Sequence, residues 1–186
     1  MGGKQGNCMI LRQKSVFDGF TYEFLDDTGT VVLGAFRHAW FSQAKNARLR
    51  IHATRDAAKG DIQMTLNGQA WRVRHLYLSR GYLNDIRYTL ETGDEAIHAQ
   101  VDVLGKTAGQ RLPRIVMTEP ISVELGTPRG WPKKRYAVTD SATRRPIGCI
   151  REPSAITLKR ELLIEMPGVD LPVAAFLGIV ALIARY

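Results

Sequence analysis

From Leu171 to Ala184 the chain runs Leu-Pro-Val-Ala-Ala-Phe-Leu-Gly-Ile-Val-Ala-Leu-Ile-Ala without one charged or polar side chain, and only Arg185 ends the run. Asp170 ahead of it is a favourable N-cap residue, and Pro172 falls in the first turn, where a missing N–H costs nothing, so a helix is predicted to start here. At about 1.5 Å per residue that helix is roughly 20 Å long, against the ~30 Å of hydrocarbon that a spanning helix must cross. It is too short to span comfortably. A helix apolar on every side needs apolar surroundings on every side, which for a soluble chain means the middle of its own fold. The rest of the sequence must therefore build a shell around it.

That shell reads as strands. Two segments align without gaps, Tyr22 to Phe36 and Tyr136 to Ile150, with Tyr22 over Tyr136, Asp26 over Asp140 and Gly34 over Gly148. Each has a strand of alternating side chains, an Asp-led turn and a returning strand, the pattern of a β-hairpin. Tyr88 to Val101 reads as a shortened third copy. Asn67-Gly68 suits a two-residue type I′ turn, which sets Met64 opposite Trp71, Ile62 opposite Val73 and Gln63 opposite Arg72, segregating polar from apolar faces.

Adding Arg12 to Phe17, Arg48 to Ala53, Ile115 to Leu125 and Ser154 to Glu165 brings the count to about a dozen short strands, the sign of a sandwich or barrel. A closed barrel of that many strands is wider than the eight-stranded kind that side chains alone fill, so something about 10 Å across must occupy its middle. The apolar helix has that diameter and that surface. The expected fold is thus all-β, a barrel of about twelve strands in hairpins enclosing the C-terminal helix. No linker or composition change divides the chain, so residues 1–186 are expected to form one domain, with residues 1–9 as a flexible tail.

With 186 residues, 45% of them hydrophobic, and only two cysteines, the chain is neither a disordered tail nor a disulfide miniprotein. Basic residues number 26 against 18 acidic, which favours a polyanionic partner. From Arg129 to Arg160 nine basic residues stand against Asp140 and Glu152, giving +7 of the total +8. The tightest cluster, Arg129-Gly-Trp-Pro-Lys-Lys-Arg135, joins an interfacial Trp to four cations, and each cation near an anionic bilayer is worth about 1 kcal/mol. The candidate anion-binding or lipid-binding residues are therefore Arg129, Trp131, Lys133, Lys134, Arg135, Arg144 and Arg145. The blander account is a solvated basic loop. Nucleic acid is the competing polyanion, but no helix-turn-helix, zinc-finger spacing or RNP-like motif supports it.

Candidates for catalysis are sparse. His38, His52, His75 and His98 are widely spaced and outside any recognised metal pattern, and His98 is expected to face solvent. Cys149 takes the repeat position of Ala35, which predicts a packed small side chain and not a nucleophile. Asp26 and Asp140 fall where hairpins turn and are expected to bond backbone. The chain has no Gly-x-Ser-x-Gly, P-loop or Gly-x-Gly-x-x-Gly, so no catalytic residue, metal or cofactor is expected. The first twenty residues carry Lys4, Arg12, Lys14 and Asp18, and Gly6 stands where a myristoylation signal has Ser or Thr. A reduced, cytoplasmic location is expected, at most peripheral to a membrane.

Three features carry a resemblance: Leu11-Arg-Gln-Lys-Ser-Val-Phe17 ahead of the first hairpin, the two aligned hairpins, and Met166-Pro-Gly-Val-Asp-Leu171 followed by Leu177-Gly-Ile-Val-Ala-Leu-Ile183. Over most of its length the chain resembles the group containing phospholipid scramblases, LURP-one-related proteins and the Tubby C-terminal domain. The resemblance implies twelve strands around the final helix, and a role in lipid association or as an interaction scaffold without enzyme activity. The Pro-rich region, acylated cysteine cluster and acidic calcium segment of scramblases have no counterpart in this sequence, and Ala184 stands where they carry an acidic residue. The closer likeness is to the LURP-one-related members. The expected function is a non-catalytic binding module on anionic lipid; the alternatives are a protein-interaction scaffold and, behind it, a nucleic-acid-binding protein.

Overall fold

The computed structural model describes residues 8–17, 21–37, 62–78, 85–105, 113–126, 135–153 and 159–184. Among these residues twelve strands, β1 (Cys8–Gln13), β2 (Thr21–Leu25), β3 (Val32–Arg37), β4 (Ile62–Leu66), β5 (Gln69–Tyr77), β6 (Ile86–Glu91), β7 (Ile97–Leu104), β8 (Arg114–Glu119), β9 (Val123–Leu125), β10 (Arg135–Asp140), β11 (Pro146–Arg151) and β12 (Glu161–Glu165), precede the C-terminal helix, α1 (Leu171–Ile183). Every strand pairs antiparallel with its neighbours in the chain, and β1 closes on β12 through Cys8↔Glu165 to Arg12↔Glu161. Closure leaves no unpaired edge to recruit another sheet.

The strands alternate as a shell around an apolar centre must. In β7, Ala99, Val101 and Val103 are buried while Gln100, Asp102 and Leu104 point away. Inside lies α1, whose residues from Val173 to Ile183 are all buried. Each wholly buried Leu, Ile, Val or Phe contributes about 1.5–3 kcal/mol, so the helix and the barrel wall stabilise each other. Asp170 occupies the N-cap position without the side-chain cap that the sequence suggests. Its backbone carbonyl accepts from Ala174 N–H at 2.9 Å, and its carboxylate turns to His98 instead.

The hairpin repeat is real and has three members. Tyr22 pairs with Phe36 and Phe24 with Gly34 before a bulge. Tyr136 pairs with Ile150 and Val138 with Gly148 before a bulge. Tyr88 pairs with Val101 and Leu90 with Ala99 before a bulge. The turns close by matching bonds, Asp26 N–H to Val31 C=O, Asp140 N–H to Arg145 C=O and, one residue shorter, Thr92 N–H to Ala96 C=O. The copies are β2–β3, β6–β7 and β10–β11, so one recurs every four strands around the helix. The Asn67-Gly68 turn has positive φ at both residues, and its register sets Met64 on Trp71, Ile62 on Val73 and Gln63 on Arg72 as expected.

The twelve strands among the described residues have a different membership from the expected set. Ile115 to Leu125 is two strands, because Pro120 has no N–H for the ladder and the chain turns there, through a cis Glu119–Pro120 bond, into β9. Arg48 to Ala53 lies outside the described residues. The strand expected at Arg12 to Phe17 is Cys8–Gln13, so residues 8 and 9 belong to the barrel and not to a tail. Of Ser154 to Glu165 only Glu161–Glu165 is a strand, and residues 154–158 are outside the described set.

Candidate functional site: the two ends of the barrel

Because strand direction alternates all the way round, each connection out of an odd-numbered strand leaves and re-enters at one end of the barrel, and each turn out of an even-numbered strand lies at the other. The six connections of the first kind are residues 14–20, 38–61, 78–85, 105–113, 126–134 and 152–160. In that order they carry one, five, one, two, three and two basic residues, 14 in all, against one, two, one, none, none and one acidic, five in all. The connections of the second kind, residues 26–31, 67–68, 92–96, 120–122 and 141–145, with the approach to α1 at 166–170, carry Arg144 and Arg145 against Asp26, Asp27, Asp94, Glu95 and Asp170; residues 1–7, which lead into β1 and carry Lys4, lie outside the described residues. In sequence the first set of connections thus has an excess of nine basic residues, most of them outside the described residues, and the second set an excess of three acidic ones.

The residues singled out from sequence divide between these ends. Arg129, Trp131, Lys133 and Lys134 fall in the sequence between β9 and β10 and lie outside the described residues. Arg135 opens β10, at the end of the first set of connections, with an exposed side chain. Arg144 and Arg145 lie beyond the other end of the same strand, about 17 Å along at ~3.4 Å per residue. They do not join the basic loop. Arg144, held at φ 58°, pairs with Glu124 at 3.0 Å, and the same carboxylate takes Arg114 through bonds of 3.1 and 3.2 Å. Arg114 first, and Arg144 after it, hold Glu124 below the usual carboxylate range.

On the outer wall Glu165 lies between two thiols, as the register partner of both Cys8 on β1 and Cys149 on β11. Its carboxylate accepts from Arg151 at 2.8 Å and from the Cys149 thiol at 3.0 Å, which holds its pKa down. Arg135 also reaches Cys149. Burial, then the neighbouring carboxylate, raises the pKa of both thiols, so neither is an activated nucleophile. With β12 between them the two cysteines are about 9.6 Å apart, beyond the reach of a disulfide.

Asp26 and Asp140 act as turn residues. Asp26 accepts from Thr30 N–H at 2.8 Å and Val31 N–H at 3.0 Å, and Asp140 from Thr143 N–H at 2.6 Å and Ala142 N–H at 3.0 Å. His98, expected to face solvent, keeps 35% of its side chain exposed and makes two contacts besides. The bulge opposite Glu91 swings it onto Trp71 with 5.0 Å between ring centroids, and its Nε2 lies 3.1 Å from Asp170. It ties the start of α1 to the wall.

Sequence reasoning missed the apolar side chains at the basic end. Lys14 to Phe17 is no strand but the first part of a turn, with Phe17 fully exposed and Val16 half exposed. Leu76 and Leu78 project at the end of β5. Two adjacent apolar residues that break the strand alternation were the available signal. Among the described residues no group of three or more His, Cys, Asp or Glu could hold a metal, and no helix is long and apolar enough to cross a membrane. The fold is that of a closed antiparallel barrel wrapped on its own C-terminal helix. No protein-family model matches the chain, and neither a curated protein nor a solved structure does.

Proposed function

We propose that this barrel is a non-catalytic module that docks on anionic phospholipid by its basic end. The observation that carries the reading is the sequence charge of the two sets of connections: those out of odd-numbered strands hold 14 basic and five acidic residues, those out of even-numbered strands two and five. An object charged in this way is oriented by an anionic plane before contact, because attraction at one end and repulsion at the other both favour the same approach. Lys133, Lys134 and Arg135 remain the cations assigned to the contact, with Trp131 at the headgroup level. The resemblance to scramblases, LURP-one-related proteins and Tubby domains supports the same reading. Arg144 and Arg145, at the far end, are left out of it.

The test is co-sedimentation with phosphatidylcholine vesicles, with and without phosphatidylserine, at low and physiological salt. Wild-type protein is expected to bind only the anionic vesicles, and less as salt rises. Removing two cations near the surface costs about 2 kcal/mol, so Lys133→Glu/Lys134→Glu should weaken binding at least thirtyfold. Tighter binding to competitor DNA than to vesicles would move the assignment to nucleic acid. Binding to neither would leave a protein-interaction scaffold.

A further inference from the structure

We infer that the barrel wall has a gap at the start of β5 that takes the terminal residue of an extended peptide, held by the main chain of Ala70. The gap lies at the end of the barrel away from the connections assigned to lipid and is independent of that reading.

The gap follows from the register. β5 pairs with β6 from Arg72↔Glu91 to Tyr77↔Ile86, and Leu78 N–H bonds Asp85 C=O at 2.8 Å. Every second pair of an antiparallel ladder exchanges hydrogen bonds, so the even-numbered residues of β5 are the ones that bond toward β6. After Arg72↔Glu91 the next rung would join Ala70 to Gly93, and that rung is missing. Thr92 N–H turns instead to Ala96 C=O at 3.1 Å, and Glu95 N–H to Thr92 C=O at 3.0 Å, which draws the chain after β6 away from β5. On its other side Ala70 faces Thr65 across a pair that exchanges no bonds, because the Asn67-Gly68 turn closes on Leu66↔Gln69. The N–H and C=O of Ala70 therefore both face the open side, without a partner among the described residues.

That side is a cleft of about 270 Å³, lined among others by Thr65, Ala70, Thr92 and Gly93. Ala70 and Gly93 are exposed and bring no bulky side chain to bar an approach. The chemistry of the gap selects its occupant. A donor and an acceptor at strand spacing are both satisfied by one residue of another extended chain, as when a peptide adds to a sheet. A phosphate or carboxylate only accepts and would leave the Ala70 C=O bare. Arg72 beside the gap is paired with Glu95 at 3.4 Å, so recognition falls to the main chain. Because Glu91 already fills the position opposite Arg72, a chain entering past Gly68 must stop at Ala70, which makes the occupant a chain end.

The experiment titrates the isotope-labelled full chain with acetyl-trialanine amide and, as control, with the same peptide N-methylated at every amide. The unmodified peptide, at roughly millimolar affinity, should move the amide signals of Ala70 and Gly93 to saturation while that of Leu78 at the opposite end stays in place. The N-methylated peptide, which cannot donate to the Ala70 C=O, should move neither. Gly93→Leu puts a side chain into the cleft from a position where a Cβ meets nothing within 4 Å, so it should melt with the wild type. It should bind the peptide at least about tenfold more weakly. No saturable shift at Ala70, equal binding of the N-methylated peptide, or wild-type binding by Gly93→Leu would each overturn the assignment.

Discussion

Replacing Gly178 by Glu should leave no folded protein. Gly178 lies midway along α1, and a Cβ there would meet the Ile164 side chain well inside 3.0 Å, with Leu11 Cδ2 at 3.8 Å. A carboxylate at that position enters a centre lined by Met9, Leu11, Phe24, Leu90 and Ile150, all at most 1% exposed. An unpaired buried ion costs several kcal/mol, which, added to the steric conflict, consumes most of the 5–15 kcal/mol that ordinarily holds a domain together. Helix propensity argues the other way, since Glu is favoured over Gly by about 0.5–1 kcal/mol in an exposed helix. Circular dichroism and thermal melting therefore separate a central helix from one lying on the surface. Gly178→Ala is the control: the atom it meets is the far end of a side chain, so the variant should fold with a loss of about 1–2 kcal/mol.

Gly34→Ala should cost about 3 kcal/mol, read as a fall in the urea midpoint at unchanged slope. The added methyl meets backbone, with Leu66 Cα at 2.9 Å and the Thr65 carbonyl oxygen nearer still, so the β3–β4 pair must part to admit it. Gly148, the same position in the third hairpin, faces the Glu165 carbonyl in the same way. The middle copy has Ala99 there, which from sequence alone suggests that alanine is tolerated at all three positions. The barrel gives the reason it is not: β8 ends at Glu119 opposite Gln100, so no strand carbonyl runs beside Ala99.

The centre of the barrel was legible because its signals are local. Fourteen apolar residues in a row specify a helix with no polar face, Asn67-Gly68 specifies one register, and the Tyr-Asp-Gly spacing marks a hairpin wherever it occurs. The polarity of the ends was not legible, because it depends on counting strands. A strand at Arg48 to Ala53, or a single strand from Ile115 to Leu125, reverses the direction of those that follow and sends their turns to the other end. The run of charge from Arg129 to Arg160 likewise looks like one patch, yet β10 carries Arg144 and Arg145 away from the rest. Phe17 escaped notice for a related reason. An apolar residue next to a strand is ordinarily core, yet Phe17 is exposed, with its N–H bonded to Ser15 Oγ.

Docking by the basic end is tested most directly by labelling the two ends of one strand. In a Cys8→Ser/Cys149→Ala background, a bimane probe is placed either at Leu78→Cys or at Gln69→Cys. Both sites are exposed and they lie roughly 30 Å apart along β5. On phosphatidylserine-containing vesicles the Leu78 probe should shift to the blue and be quenched from within the bilayer, while the Gln69 probe should stay in water. A bound protein in which the Gln69 probe responds, or in which neither does, would contradict the account.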